Sequence, residues 1–324
     1  MFSFLIRRLL YSIPMIFGVM LITFVLFFAV KPPQGMAKRA IGEKASPEAI
    51  DNWLHQRGYD KPLFFNANPG SKIYDSQFFR QVKALACFDF GRSDINGEPI
   101  IGKLRRGVVP SLCITLPAFL VGLWTAIWAA LFLVLVRESA LDKLGTILCV
   151  GFMSIPAMAY VIFGHWLGAV FLKYFPAYGF SGGGVDMARF LVLPVIVMAF
   201  CGVGSDIRVY RSIFLEIAGQ DYVRTARAKG LPSSRILLKH VLKNGAIALV
   251  TLVVSGLPFL MLGSLLIEDF FGIPGLGGLS IDAIRTADFS ELRAVVFLGS
   301  LLYLAGITLA DLCYGLVDPR IRLK

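Results

Sequence analysis

Six stretches of this chain are too apolar and too long to be at home in water: residues 9–30, 111–136, 144–172, 190–205, 246–267 and 294–310. A bilayer core takes about 20 apolar residues of helix, with a range of roughly 17–25. Four runs meet that length comfortably, while 190–205 has 16 residues and 294–310 has 17. The fourth run is expected to continue through Arg208 and Arg211, whose long stems can carry their charges to the interface. In hydrocarbon every backbone N–H and C=O must be satisfied within the segment, so runs like these are helices. The pattern therefore predicts an all-α integral membrane protein with six transmembrane helices. The third run could be two half-spans broken at Pro156, but the residues around that proline are too apolar for a loop, and one span is the reading taken. Composition agrees: 56% of residues are hydrophobic and 16% charged, against roughly 25% charged in soluble domains.

Arg7 and Arg8 precede the first run, as in a signal peptide. That run is longer than a signal core and has no small-x-small site at its end, so an uncleaved first span is expected. Orientation follows from the short loops, because Lys and Arg accumulate on the cytoplasmic side. One set of ends carries fifteen Lys and Arg: Arg7 and Arg8, Arg137 and Lys143, eight between 206 and 244, and Arg320, Arg322 and Lys324. The opposite short loops carry four, namely Lys173, Arg189, Arg285 and Arg293. Both termini and the 206–244 loop are thus expected in the cytoplasm. The organisation predicted is residues 1–30 as a cytoplasmic end and first span, 31–106 as an extracytoplasmic loop, and 107–324 as a five-span core. Trp53, Tyr59, Phe64, Phe65, Tyr74, Phe78 and Phe79 in the outer loop read as a packed cap. The net charge of +11 follows from the cytoplasmic bias, so no nucleic-acid partner is expected.

Residues 97–103, Gly-Glu-Pro-Ile-Ile-Gly-Lys, imitate a phosphate-binding loop. Leu104 stands where Ser or Thr must hold magnesium, and the stretch lies in the outer loop, so it is rejected. Cys87, Cys113, Cys149, Cys201 and Cys313 have no paired spacing; those in or near spans suit packing as small apolar residues. No catalytic group, cofactor or metal site is expected. The chain also lacks a Gly-x-Ser-x-Gly elbow or a kinase-like set.

The polar stretch "QDYVRTARAKGLPSSRILLKH", residues 220–240, interrupts the apolar pattern. Asp221 favours a helix start through its charge beside the free N–H groups. The next residues give about two turns of helix, and Gly230 suits the left-handed position beyond its end. Pro232 suits the first turn of a second helix. Spacing places Tyr222, Ala226 and Lys229 on one face. The residues fit a projecting docking helix; a basic loop resting on anionic lipid is the alternative.

This stretch resembles the "EAA" cytoplasmic loop of ABC-importer permeases, and more closely its form in the peptide/nickel branch. Arg224-Thr225-Ala226 stand where the general motif has Glu-Ala-Ala, and Gly230 keeps the glycine. "RRLLYSIP" at 7–14, "CFDFGRS" at 87–93, "EDFFGIPGLGGL" at 268–279 and "DPRIR" at 318–322 are similar to other segments of that branch, so the resemblance covers nearly the whole chain. "KPPQG" at 31–35 departs from the branch's usual Pro-Gly-Asp-Pro.

The resemblance implies the type I permease fold, in the bacterial cytoplasmic membrane. It implies a non-enzymatic transport subunit of an ATP-driven importer of peptides or a similar small solute. Its implied partners are a second homologous permease, two ATP-binding subunits, an extracytoplasmic substrate-binding protein and membrane lipid. Asp221, Tyr222, Arg224, Thr225, Ala226 and Gly230 are the implied ATPase-coupling residues. Phe270, Phe271, Gly272, Pro274, Gly275 and Gly277 form an implied outer gate or binding-protein contact, against the simpler reading of an interfacial aromatic belt. A self-sufficient ion-coupled carrier is the alternative; it calls for internal repeats and charges deep in the bilayer, and neither is evident. Gly164 and Gly168 form a small-xxx-small pair that allows close helix approach, including a subunit contact. His165 reads as a hydrogen-bonded packing residue rather than a pore residue, and Asp311 as a residue near the inner interface.

Overall fold

Proline 156 has no N–H to give the carbonyl four residues back, at Phe152, and this one missing bond reshapes the third apolar run. The structure, a computed structural model, describes residues 2–30, 33–66, 72–181, 184–260 and 263–317. There the run is two helices bent by 97°. Ile155 and Pro156 are both extended, with ψ of 124° and 145°, as expected for a proline and the residue before it. The Phe152 carbonyl accepts instead from the Ile155 N–H at 3.3 Å and from the Tyr160 hydroxyl at 2.7 Å. The run is therefore not one straight helix but a pair bent at Pro156. A break in apolar surroundings needs no polar loop when a side chain caps the freed group.

The described residues form fourteen α-helices and no strand. In chain order they are α1 Phe2–Val30, α2 Pro33–Ile41, α3 Pro47–Arg57, α4 Gln77–Ala86 and α5 Ile100–Leu135. Next come α6 Ala140–Ser154, α7 Ala157–His165 with a π-helical continuation Trp166–Phe171, and α8 Gly184–Ala218. Then follow α9 Asp221–Ala228 and α10 Ser233–Ile236, which leads through a π-helical turn Leu237–Leu242 into α11 Lys243–Leu260. The last are α12 Leu265–Phe271, α13 Leu276–Thr286 and α14 Phe289–Val317. Five helices are long and apolar enough to cross a membrane, or six spans if the bent pair counts as one. The fourth run does extend past Arg208 and Arg211, within the 35-residue α8. The fifth is shifted: its helix starts at Ser233 and stops at Leu260, and Leu265–Ile267 begin the separate α12. Segment 318–322, with its basic residues, lies outside the described residues.

The chain divides into two compact units, Met1–Gly107 with Leu279–Leu304, and Val108–Gly278 with Ala305–Lys324. In the first, the aromatic residues of the 31–106 segment pack together. Phe78 meets Phe24, Phe64 and Phe79 edge-on or tilted at 5.2–5.6 Å, and Trp53 lies 5.7 Å from Tyr59. The carboxylate of buried Asp288 ties the 91–94 turn to the start of α14. It accepts from the Ser93 hydroxyl, from the Asp94 amide at 3.1–3.2 Å and from the Glu291 amide at 3.0 Å. The Lys103 ammonium reaches Glu291 at 2.7 Å, so the false phosphate-loop lysine is a structural ion pair.

In the second unit, α6 and α7 pack on α8. A side chain at Gly164 or Gly168 would come within 2.4 Å of Val197 or 2.6 Å of Leu193. The glycine pair therefore serves approach within the chain. At the α6 end, Arg211 donates to Asp142 through Nε and a terminal nitrogen at 3.0 and 2.8 Å, a bidentate pair with its carboxylate buried. The final carbonyl of α11, at Leu260, accepts from the buried Thr115 hydroxyl at 2.9 Å. Helix ends in apolar surroundings need such partners.

Candidate functional site

Two segments of the second unit carry the residues that the sequence singles out. The first is α9. Gln220 precedes it in extended conformation, and Asp221 opens it with a side chain 97% exposed. It ends as the sequence predicts: Gly230 has φ +76°, its N–H donates to Arg227 O at 3.0 Å, and Leu231 N–H reaches Ala226 O at 3.4 Å. Those two bonds define the Schellman motif, which glycine adopts without a Cβ penalty. Pro232 stands one place before α10, extended, rather than within its first turn.

The faces of α9 differ from expectation. Val223 and Ala226 are turned inward, 0% and 6% exposed, and join a core with Tyr210, Phe214, Ile236, Leu237 and Val241. Ala226 therefore does not share an outward face with Tyr222. The exposed residues of α9 are Asp221, Tyr222, Arg224, Thr225, Arg227 and Ala228, with Arg224 3.5 Å from Asp221. Sequence reasoning passed over Val223, whose three-residue spacing from Ala226 was the available signal. The core under α9 is dense: Phe214 has no exposure, and a side chain on Gly245 would meet its ring at 3.0 Å. The inner face of α9 thus packs on α8 and on the entry to α11.

The second segment is 263–278, and a buried carboxylate organises it. Glu268 has no exposed surface. Its Oε1 accepts from the Ser111 hydroxyl at 2.8 Å and the Ser264 amide at 2.9 Å. Its Oε2 accepts from the Gly277 and Gly278 amides at 2.8 and 3.1 Å. Ser111 Oγ in turn accepts from the Leu276 amide at 2.8 Å. Burial pushes the Glu268 carboxyl above its usual range, and these hydrogen bonds pull back against that rise. A Cβ at Gly275 would lie 2.1 Å from Glu268 Oε2, and one at Gly277 would lie 2.8 Å from the Leu265 nitrogen. These glycines are there so that backbone can close around the carboxylate.

Of the six residues expected here, Phe271, Gly275 and Gly277 are buried, Phe270 and Gly272 are partly covered, and Pro274 is exposed. Tyr178 lies over Gly272, where a Cβ would touch its ring at 2.3 Å. His165 packs edge-on against Phe270 and Phe271 at 5.2 and 5.7 Å, and its Nε2 is 2.9 Å from Ala177 O. Ser111 and Glu268, the centre of the segment, were not singled out by the sequence: 157 positions separate them.

Comparison with known proteins assigns the class. Residues 118–323 match the family described as "Binding-protein-dependent transport system inner membrane component". Residues 1–107 match its N-terminal companion, "Binding-prot-dependent transport system membrane comp, N-term". This chain belongs to that family. Among its relatives are the glutathione transport system permease proteins GsiC of Shigella flexneri serotype 5b and Escherichia coli K12, each 28% identical over the full length of both chains. That of Salmonella paratyphi A is 29% identical, again with full coverage of both.

The protein is thus a multi-pass inner-membrane permease subunit of an ABC importer, and a transport component rather than an enzyme. Such a permease works with ATP-binding and substrate-binding partners, which sets aside the self-sufficient carrier. In the permease the buried Glu268 network makes 263–278 a fixed structure, while α9 offers a polar outer face on a rigid apolar base.

Proposed function

We propose that this permease imports peptides or a similar small solute, and that α9 is the lever through which ATP-binding subunits drive it. The observation that carries this reading is the two-faced build of α9. Asp221, Tyr222, Arg224 and Thr225 are free to enter a partner's groove, while Val223 and Ala226 are fixed in the core of α8 and α10–α11. Ala226 and Gly230 then act by holding the helix and ending it, not by touching the partner. The basic bias of this side supports a cytoplasmic location for α9 and both termini. Segment 263–278 then faces outward, where Phe270, Gly272 and Pro274 are the accessible ones among the six candidates for a binding-protein contact or gate. The assembly proposed is this chain with a second homologous permease, two ATP-binding subunits and one extracytoplasmic binding protein. The cargo class rests on relatives named for glutathione, itself a tripeptide.

The test is reconstitution with the partner subunits in proteoliposomes. Tyr222→Ala combined with Arg224→Glu should leave the permease inserted and folded but abolish ATP-dependent uptake, and should weaken co-purification of the ATPase. Full uptake by that variant would end the lever reading. Uptake by the chain alone on an ion gradient would do the same.

A further inference from the structure

The first unit holds a cavity of about 310 Å³, near the lower limit for small-molecule sites. Four arginines from four segments line it: Arg57 at the end of α3, Arg80 on α4, Arg92 in the following turn and Arg293 on α14. Among the described residues that line it, Asp89 is the one acid. Arg57 is committed, 3.3 Å from Asp94 and stacked 4.2 Å over Trp53. The other three have no carboxylate within ion-pairing distance among the described residues. Arg293 is held by neutral acceptors only: Gln81 Oε1 at 2.9 Å, the Tyr59 hydroxyl at 2.9 Å, Ser290 Oγ at 3.0 Å and Phe289 O at 3.2 Å. Its orientation is fixed while its charge stays unspent. Arg92 likewise donates to a backbone carbonyl, Gly97 O at 3.1 Å. Arg80 lies across Gly58, where any Cβ would come within 2.1 Å of its guanidinium.

We propose that this cavity is a binding site for a small zwitterionic solute, with its carboxylate received by Arg80, Arg92 and Arg293 and its ammonium by Asp89. Guanidinium forks pair with carboxylates in a planar, bidentate manner, which gives geometric selectivity as well as charge. Gathering several cations round one concavity is unfavourable until an anion enters it. Asp89 is exposed, its Oδ1 accepting only the nearby Gly91 amide at 3.1 Å among the hydrogen bonds described, and it supplies the opposite charge that a phosphate monoester has no use for. The site is independent of the lever: a chain that docked no ATPase would still bind here.

The experiment is calorimetric titration of the purified full chain in detergent with tri-alanine, tri-alanine amide, N-acetyl-tri-alanine and glycerol 3-phosphate. Tri-alanine should bind, with its amide at least tenfold weaker. Arg80→Ala with Arg92→Ala should weaken tri-alanine at least tenfold; both arginines are exposed, and unchanged thermal unfolding would verify the fold. Asp89→Asn should weaken tri-alanine but not its N-acetyl form. Equal binding of acid and amide, indifference to the arginine changes, or no binding of tri-alanine would overturn the proposal. So would tight glycerol 3-phosphate binding in its place, which would make this a phosphate or lipid-headgroup site.

Discussion

Replacing Glu268 by Gln tests whether one buried carboxylate holds segment 263–278 in shape. The carboxylate accepts four hydrogen bonds, two on each oxygen. A glutamine has one accepting oxygen. Turned so that this oxygen keeps the Gly277 and Gly278 amides, its NH2 faces Ser111 Oγ and the Ser264 amide. The serine hydroxyl can rotate to accept, but the Ser264 N–H is left facing another donor. Turned the other way, both glycine amides are stranded, so the first arrangement is preferred. One stranded buried donor costs about 1–3 kcal/mol, which corresponds to roughly 2–12 °C at about 2–4 °C per kcal/mol. Glu268→Ala strands all four donors and should cost at least about 4 kcal/mol on the same scale. The assay is thermal unfolding in detergent, followed by labelling of the buried Cys149 thiol. The pH dependence has a definite sign. Burial raises the folded carboxyl above its ordinary value of 4.5, so between those two values the unfolded chain binds fewer protons than the folded one. Stability therefore declines as pH rises through that window and levels off above it. The advantage of Glu over Gln should shrink accordingly as pH rises from about 4.5. If the Gln and Ala variants both unfold with the wild type at every pH, the network contributes nothing and the reasoning fails.

Four further outcomes follow from the structure. Asp142→Ala leaves the Arg211 guanidinium half-buried without its partner and should cost about 3–5 kcal/mol, measured by the same unfolding assay. Asp142→Leu with Arg211→Met should recover most of that loss, because an apolar pair removes the stranded charge. Gly275→Ala drives a Cβ to 2.1 Å from Glu268 Oε2 and should destabilise as severely as Glu268→Ala. By contrast, Gly230→Ala meets nothing within 4 Å and should cost only the left-handed backbone strain of about 1–2 kcal/mol.

What was legible in the sequence, and what was not, divides by the range of the physics involved. Helix existence follows from composition along the chain, and among the described residues each of the six apolar runs is mainly helix, with the third and fifth interrupted. The left-handed end at Gly230 is equally local, since the required φ selects the residue. Pro156 was also readable in principle. The residues around it are too apolar for a loop, but the polarity that serves a break can come from farther along the chain. The cap on the Phe152 carbonyl comes from Tyr160, one turn beyond the bend. The inward face of α9 fails for a different reason. Periodicity gives which residues share a face, not which face meets the core, and an eight-residue helix with both apolar and charged stripes leaves that to its neighbours. Glu268 marks the limit. An acidic pair, Glu268-Asp269, at the end of an apolar run does not mark either member as buried; only the closing of a glycine-rich turn over Glu268, and a serine from α5 beneath it, turn it into a buried acceptor. Read forward, this gives the four glycines of residues 272–278 a different purpose. They do not loosen the segment for motion; they let backbone amides converge on one carboxylate, so any movement of this region has to carry the whole turn as a unit.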